Sequence, residues 1–259
     1  MIIDITIVFA VGISTLYVFQ GYLIRPVERG FYCNDASLSK PLLPNTITMP
    51  HLLSVSLGAP FLIILLCEGI LFKRATGNHR LAKFFSSSTF LYMEYLLVYT
   101  LSTLVMDFLK CGVGRLRPHF FAGCDVDWDK TDCKTDPNAF IEDVVCQNSE
   151  HRVRVSRTSF PSGHTMAAVN LWLWTVLYLR GMTRRVLSIL RWIVLSIVSV
   201  WTIVTAITRI TDYWHHPTDV LGGLIISFLI TIPFFGGARL SEDTAYERRE
   251  IFPPKVHFH

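Results

Sequence analysis

Three short segments of the chain carry residues whose types and spacing suit chemistry on an anion. In Lys110-Cys-Gly-Val-Gly-Arg115-Leu-Arg117-Pro118, three cations fall within eight residues. Gly112 and Gly114 loosen a helix end there and permit close backbone approach, and Pro118 is expected to stop the helix. In Phe160-Pro161-Ser162-Gly163-His164, Ser162 is a good N-cap, so a helix should begin at Gly163 with its first amides pointing at an anion and His164 beside them. The third segment runs from Thr208 to Asp219. Pro217 suits a first helical position, and His215 and Asp219, four apart, face each other across that first turn. A carboxylate so placed keeps one imidazole nitrogen protonated and leaves the other as a lone-pair nucleophile or base. His215 and His216 are also metal-ligand types, but no further His or Cys is spaced for a closed site.

Each segment alone has a blander reading: a basic flank that snorkels to lipid headgroups, a capped helix with a chance histidine, or two polar residues at a helix mouth. Together they supply cations (Lys110, Arg117, Arg209), helix-end donors (Ser162, Gly163), a His–Asp pair (His215, Asp219) and a second histidine (His164). That inventory suits phosphoryl transfer in which side-chain cations stand where most such sites use magnesium, so no metal or other cofactor is expected.

The elements that must position these residues lie in a membrane. Hydrophobic residues make up 51% of the 259 and charged residues 17%, with mean hydropathy +0.41, whereas soluble domains carry about 25% charged residues. A water-soluble enzyme, a disordered chain and a nucleic-acid binder are excluded on that ground. The net charge of +4, from 24 basic against 20 acidic residues, is too mild to suggest a polyanion partner. Six apolar runs reach the length of a membrane crossing, at about 2–24, 52–72, 85–109, 163–180, 190–208 and 218–237, the fourth and fifth being the shortest. The expected fold is therefore an all-α integral membrane protein, one domain over 1–259, with six helices bundled and the polar loops 110–164 and 208–219 at one membrane edge. The first run has no basic region before it, carries Asp4 and is too long for a signal core, so it reads as a retained span.

Basic residues orient the bundle. Lys73, Arg74, Arg80 and Lys83 follow span two, Arg180, Arg184, Arg185 and Arg191 follow span four, and Arg239, Arg248, Arg249 and Lys255 lie in the tail. Arg25, Arg29, Lys40 and Arg209 are on the other side. Both termini should be cytoplasmic, with the three segments extracellular or lumenal. Cys33, Cys124, Cys133 and Cys146 fall on that outer side, where disulfides persist, although spacing leaves both their pairing and their oxidation open. None of Asn34, Asn45, Asn138 and Asn148 has, two positions on, the hydroxyl residue that N-glycosylation needs. Two of the acids inside the runs need comment: Asp107, three residues before Lys110 and able to pair with it, and Glu68, near the cytoplasmic end of span two, with no catalytic role assigned.

Lys110-x6-Arg117-Pro118, Pro161-Ser162-Gly163-His164 and Arg209-x5-His215-x3-Asp219 resemble the three-part signature of the type 2 phosphatidic acid phosphatase superfamily. Gly114-Arg-Leu-Arg-Pro-His-Phe120, Cys124-Asp-x-Asp-Trp128 and Phe31-Tyr-Cys-Asn-Asp35 resemble its animal lipid phosphate phosphatase branch. The resemblance implies that His215 attacks phosphorus and becomes a phosphohistidine, that Asp219 orients it, and that Lys110, Arg117, Ser162, Gly163 and Arg209 hold the phosphate oxygens. It implies that His164 protonates the leaving alcohol and then activates water. Phosphatidate, lysophosphatidate, sphingosine 1-phosphate and ceramide 1-phosphate, met in the outer or lumenal leaflet, are the implied substrates. The implied location is the plasma membrane, with the endoplasmic reticulum or Golgi as alternatives, and a homo-oligomer is compatible with it. A polyprenyl or diacylglycerol diphosphate phosphatase, and a silent lipid-phosphate-binding protein, are the competing readings. Two departures stand out: Thr208 where the signature has Ser, and Pro161 where the animal branch often has Tyr.

Overall fold

The computed structural model describes residues 24–74, 80–180 and 185–251, together with positions 6, 10, 12 and 13. Its helices are α1 (Met49–Arg74), α2 (Arg80–Val113), α3 (Phe120–Cys124), α4 (Glu150–Ser156), α5 (Gly163–Arg180), α6 (Arg185–Thr211) and α7 (Pro217–Ile251). Two short strands, β1 (Phe31–Tyr32) and β2 (Phe140–Ile141), pair antiparallel with Phe31 opposite Ile141. Among the described residues, four helical stretches are long and apolar enough to cross a membrane: Met49–Ile70, Phe84–Val113, Ser188–Thr211 and Pro217–Phe235. The expected span at 2–24 lies almost wholly outside the described residues.

The fourth expected span, α5, is a different kind of helix. Its 18 residues rise ~27 Å, close to the thickness of a hydrocarbon core. It is less apolar than the other four because it is the central helix, packed against α1, α2, α6 and α7. Its polar groups meet protein rather than lipid. Thr231 Oγ1 donates to Asn170 Oδ1 at 3.0 Å, Thr202 Oγ1 to the Ala168 carbonyl at 3.1 Å, and Trp172 Nε1 to Ser199 Oγ at 3.0 Å. Interhelical hydrogen bonds of this kind hold membrane bundles where lipid supplies no hydrophobic drive between helices. Gly223 permits the closest approach of α7 to α5: a Cβ there would sit 2.6 Å from the Ser162 carbonyl oxygen. Glu68 accepts from Ser87 Oγ at 3.3 Å and Tyr178 Oη at 3.4 Å, so this intramembrane acid has a structural setting.

A second, smaller core sits beyond the helix ends that carry the three segments. Phe31, Leu38, Leu116, Phe120, Cys124, Val126 and Ile141 form it. Disulfides Cys33–Cys133 and Cys124–Cys146 cross-link it, which supplies the pairing that spacing left open. Cys67 and Cys111 are buried free thiols.

Helix ends differ from expectation in one instructive place. α2 runs through Gly112 and stops at Val113, ahead of Pro118. Gly114 ends it by adopting φ +59°, with its amide donating to the Lys110 carbonyl at 3.0 Å. A glycine in the left-handed region at this position satisfies a last-turn carbonyl without a Cβ penalty. Polar residues also extend α2 and α7 beyond the apolar runs, since hydropathy marks contact with lipid rather than the length of a helix.

Candidate active site

The turn between α6 and α7 carries His215. Tyr213 takes φ +58° and reverses the chain, and the amides of Trp214 and His215 both donate to the Arg209 carbonyl, at 3.2 and 3.0 Å. The imidazole is thereby folded under the end of the bundle and is 3% exposed. Its Nδ1 lies 2.7 Å from the Ser159 carbonyl oxygen. A carbonyl only accepts, so Nδ1 carries the hydrogen and Nε2 holds the lone pair. Burial pushes the His215 imidazole well below the ordinary histidine range, and Arg117 and Lys110 add to that, partly offset by Asp219. That direction favours the neutral ring, whose Nε2 lone pair is left free by the hydrogen bond at Nδ1.

Asp219 stands beside the ring, with Oδ2 at 3.7 Å from Nδ1, beyond hydrogen-bond length. The carboxylate is fully buried and has three donors: Ser159 Oγ at 2.6 Å and the His216 amide at 2.9 Å on Oδ2, and Arg115 Nη1 at 2.6 Å on Oδ1. The reach of Asp219 back to the His216 amide is one half of a capping box, which explains why an acid at this place also starts α7.

The cations converge on the same place. Arg117 lies in the loop after α2 with its guanidinium 5.0 Å over the Trp214 ring, and donates to the Thr158 carbonyl at 3.3 Å. Burial, reinforced by Arg209, pulls it down to about 10, so it stays charged at neutral pH. Arg209, in the last turn of α6, is 1% exposed and donates to Asn45 Oδ1 at 2.6 Å, with Asp212 Oδ2 at 3.4 Å. The Nε of both arginines is buried without a partner. Buried N–H groups of that kind call for an acceptor, and a phosphate oxygen is one. Lys110, at the end of α2, brings its Nζ to 3.6 Å from where a Cβ on Gly163 would project.

The second segment closes the group. Ser162 directly precedes α5, as expected of an N-cap, and its Oγ accepts from Thr165 Oγ1 at 3.0 Å and the Thr165 amide at 3.5 Å. The Ser162 amide donates to the Asp219 carbonyl at 3.0 Å, tying this segment to the third. His164 sits in the first turn with Nε2 3.1 Å from the Ile47 carbonyl, so that nitrogen carries a hydrogen. All eight expected residues therefore lie in one layer at one end of the bundle. Asp107, expected to pair with Lys110, is buried, and its Oδ2 has no hydrogen-bond partner among the described residues.

Five further residues belong to this layer. Ser159 and Arg115 hold Asp219. Asn45 and Asp212 hold Arg209, and the Thr46 amide and Oγ1 bind the two Asp212 oxygens at 2.8 and 3.0 Å. The stretch 40–48 thus lies along the site, pinned also by Trp214 Nε1 donating to the Leu43 carbonyl at 3.0 Å. His119 is held down at about 4, mainly by burial. It meets the Tyr213 carbonyl through Nδ1 at 2.8 Å and packs edge-on to Trp214, bracing the turn that carries His215. Arg115 lies inside the first segment and His119 directly follows it, so both could have been suspected from it. Asn45 had no signal, because its contact with Arg209 joins positions far apart in the chain, and Asp212, only three residues after Arg209, is anchored by the equally remote Thr46.

Comparison with known proteins gives a consistent result. Residues 91–239, which include all three segments, match the PAP2 superfamily. Phospholipid phosphatase 1 of Rattus norvegicus is 31% identical over 245 residues, covering 90% of this chain and 82% of the rat protein. Phospholipid phosphatase 2 of Bos taurus is 32% identical over 217 residues, covering 81% of this chain and 72% of the bovine protein. No solved structure matches the chain.

Proposed function

The chain belongs to the PAP2 superfamily, and from that premise we propose that it cleaves lipid phosphate monoesters without a metal, through a phosphohistidine at His215. The coarser activity follows from kinship: it is an integral membrane phosphatase that hydrolyses lipid phosphates. The observation that carries the finer reading is the His215 ring, neutral, buried and hydrogen-bonded through Nδ1 so that its Nε2 lone pair is free.

The reaction has two displacements. In the first, Nε2 bonds to phosphorus as the ester P–O bond breaks, and the leaving oxygen takes a proton from His164. That proton comes from Nδ1 of the imidazolium, because Nε2–H is engaged by Ile47. The dianionic phosphate, arriving among Lys110, Arg117 and Arg209, favours the imidazolium. In the second, His164 takes a proton from water, the oxygen attacks phosphorus, the N–P bond breaks, and inorganic phosphate departs with His215 neutral again. Lys110, Arg117, Arg209, Ser162 and the start of α5 at Gly163 stabilise the equatorial oxygens, the task magnesium performs in other phosphoryl-transfer sites. Asp219 stabilises the positive charge that develops on the ring.

We also propose six spans, with 2–24 as the first, both termini cytoplasmic and the site extracellular or lumenal. The two disulfides on the same side as the site support that orientation, since such bonds persist outside the reducing cytosol. Phosphatidate, lysophosphatidate, sphingosine 1-phosphate and ceramide 1-phosphate are the proposed substrates, taken from the facing leaflet at the plasma membrane. The test is phosphate release from phosphatidate in detergent with EDTA, for wild type and His215→Ala. Equal activity in the two sinks the reading. The same substrates given to intact and lysed cells report sidedness, and activity seen only after lysis overturns the plasma-membrane assignment.

A further inference from the structure

His215 and Asp219 are joined through a residue that lies in none of the three segments. Ser159 is fully buried and uses every polar group it has. Its amide donates to the Arg115 carbonyl at 2.9 Å, its carbonyl accepts from His215 Nδ1 at 2.7 Å, and its hydroxyl donates to Asp219 Oδ2 at 2.6 Å. We infer that Ser159 is a positioning residue of the reaction, its carbonyl fixing the tautomer of the nucleophile and its hydroxyl holding the Asp219 carboxylate beside the ring. The inference rests on His215 being the nucleophile.

The physical need is specific. A carboxylate with a free oxygen in a dry pocket would swing to the nearest N–H, which here is His215 Nδ1, and carry the ring with it. The Ser159 hydroxyl and the His216 amide occupy Oδ2, while Arg115 occupies Oδ1, so the carboxylate stays 3.7 Å from Nδ1. The ring then keeps a neutral acceptor, and Nε2 keeps its aim. When Nε2 bonds phosphorus, positive charge appears at Nδ1–H, and the fixed carboxylate stabilises it without reorganisation, the general advantage of a preorganised charge. Ser159 takes no proton and forms no covalent bond. Its link to the Arg115 backbone also sets the distance between the first segment and the His–Asp pair.

The test uses the full chain in detergent with lysophosphatidate, comparing wild type, Ser159→Ala, Ser159→Thr and His215→Ala. The expected result for Ser159→Ala is a fall in kcat of about 10²-fold with KM within about threefold, because ring and carboxylate are misaligned while phosphate binding is retained. The acid limb of kcat/KM should also move upward, since an Asp219 short of one donor weighs more on the ring. The other charged groups facing His215, Lys110 at the end of α2 and Arg117 in the following loop, are unchanged in the variant. Ser159→Thr, which keeps the hydroxyl, should recover most of the lost kcat. An unchanged kcat and limb in Ser159→Ala overturns the inference. So does a loss of kcat with an unmoved limb and a lowered melting temperature, which is the signature of packing alone. Should Ser159→Ala fail to fold, Ser159→Cys replaces it with a weak donor: a partial loss with the same limb shift supports the inference, and wild-type behaviour overturns it. Activity surviving in His215→Ala would instead remove the nucleophile reading, whatever the Ser159 variants do.

Discussion

Arg209, His215 and Asp219 are 1%, 3% and 0% exposed, whereas Ile197, Val200 and Ile203 on α6 are 64%, 60% and 57% exposed. Arg209 and those three apolar residues belong to one helix. Along its body, α6 shows its apolar side chains to lipid, and at its last turn it hides a guanidinium among Asn45 and Asp212. In water that arrangement would be inverted. In a bilayer it follows from the solvent: lipid tails accept apolar side chains at no cost, while an exposed cation costs several kcal/mol there. Polar chemistry must therefore be held by protein, and it is gathered where helix ends and loops can satisfy it. The end layer is over-determined and the perimeter is almost unconstrained, and that contrast sets how strongly each should respond to change.

The largest response belongs to the end layer. On the proposed mechanism, His215→Ala removes the attacking lone pair and should lower kcat by at least about 10³-fold, as loss of a nucleophile does in other two-step hydrolases. Because the cations remain, KM should change little. No phosphorylated protein should be trapped on acid quenching, whereas wild type should trap it. A KM that rises with an unchanged kcat would place His215 in binding instead, and would break the contrast between a reacting layer and an inert perimeter.

Next comes the contact that holds the layer onto the bundle. Gly223→Ala adds a methyl 2.6 Å from the Ser162 carbonyl oxygen, a backbone atom that has little room to yield. The expected cost is about 1–3 kcal/mol, typical of overpacking, read as a lowered melting temperature in detergent. Activity should fall with it, since Ser162 is displaced. Wild-type stability would show that α5 and α7 slide easily past each other, and that the layer is less rigid than its hydrogen bonds suggest.

The signals that the sequence carried divide along the same line. α1, α2, α6 and α7 were legible because lipid-facing helices must be apolar, and hydropathy measures that requirement. Of the two shortest runs, the one that became α5 is also polar, because a helix enclosed by four others is free to carry Asn170, Thr175 and His164. The convergence of the eight candidate residues was legible because their motifs keep short spacings within each segment. Ser159, Asn45 and Asp212 were not, since they act through a carbonyl, a loop and a pairing across the fold. The end of α2 was misplaced because Gly114 acts through its positive φ, which a proline four residues on obscured. The chain up to residue 24 remains a proposal from hydropathy.

A smaller effect concerns pH. An exposed histidine loses half its neutral form near pH 6.5. Burial holds His215 well below that, so the sign is toward retained nucleophilicity on acidification. The acid limb of kcat/KM should lie below 6.5, with less than about a twofold loss between pH 7.5 and 6.5. A limb above 6.5 would mean that the ring is wetter, or Asp219 closer to it, than the hydrogen bond to Ser159 implies.

The smallest effect should come from the perimeter, and it is the most diagnostic of what surrounds the bundle. Ile197 is 64% exposed and lies in the middle of the apolar stretch Ser188–Thr211. If lipid covers it, Ile197→Trp adds a bulky ring to a fluid neighbour that rearranges around it, and stability should stay within about 0.5 kcal/mol of wild type. Turnover should be unchanged. If a second copy of the chain covers that face instead, the same ring meets close-packed side chains, and overpacking should cost about 1–3 kcal/mol. Measuring the melting temperature together with the mass of the detergent-solubilised particle separates the two. A near-silent Ile197→Trp beside a damaging Gly223→Ala would confirm that α6 faces lipid where α7 faces protein. A damaging Ile197→Trp that also splits a dimer would move the α6 face from perimeter to interface, and would leave the end layer as the common structure that both copies preserve.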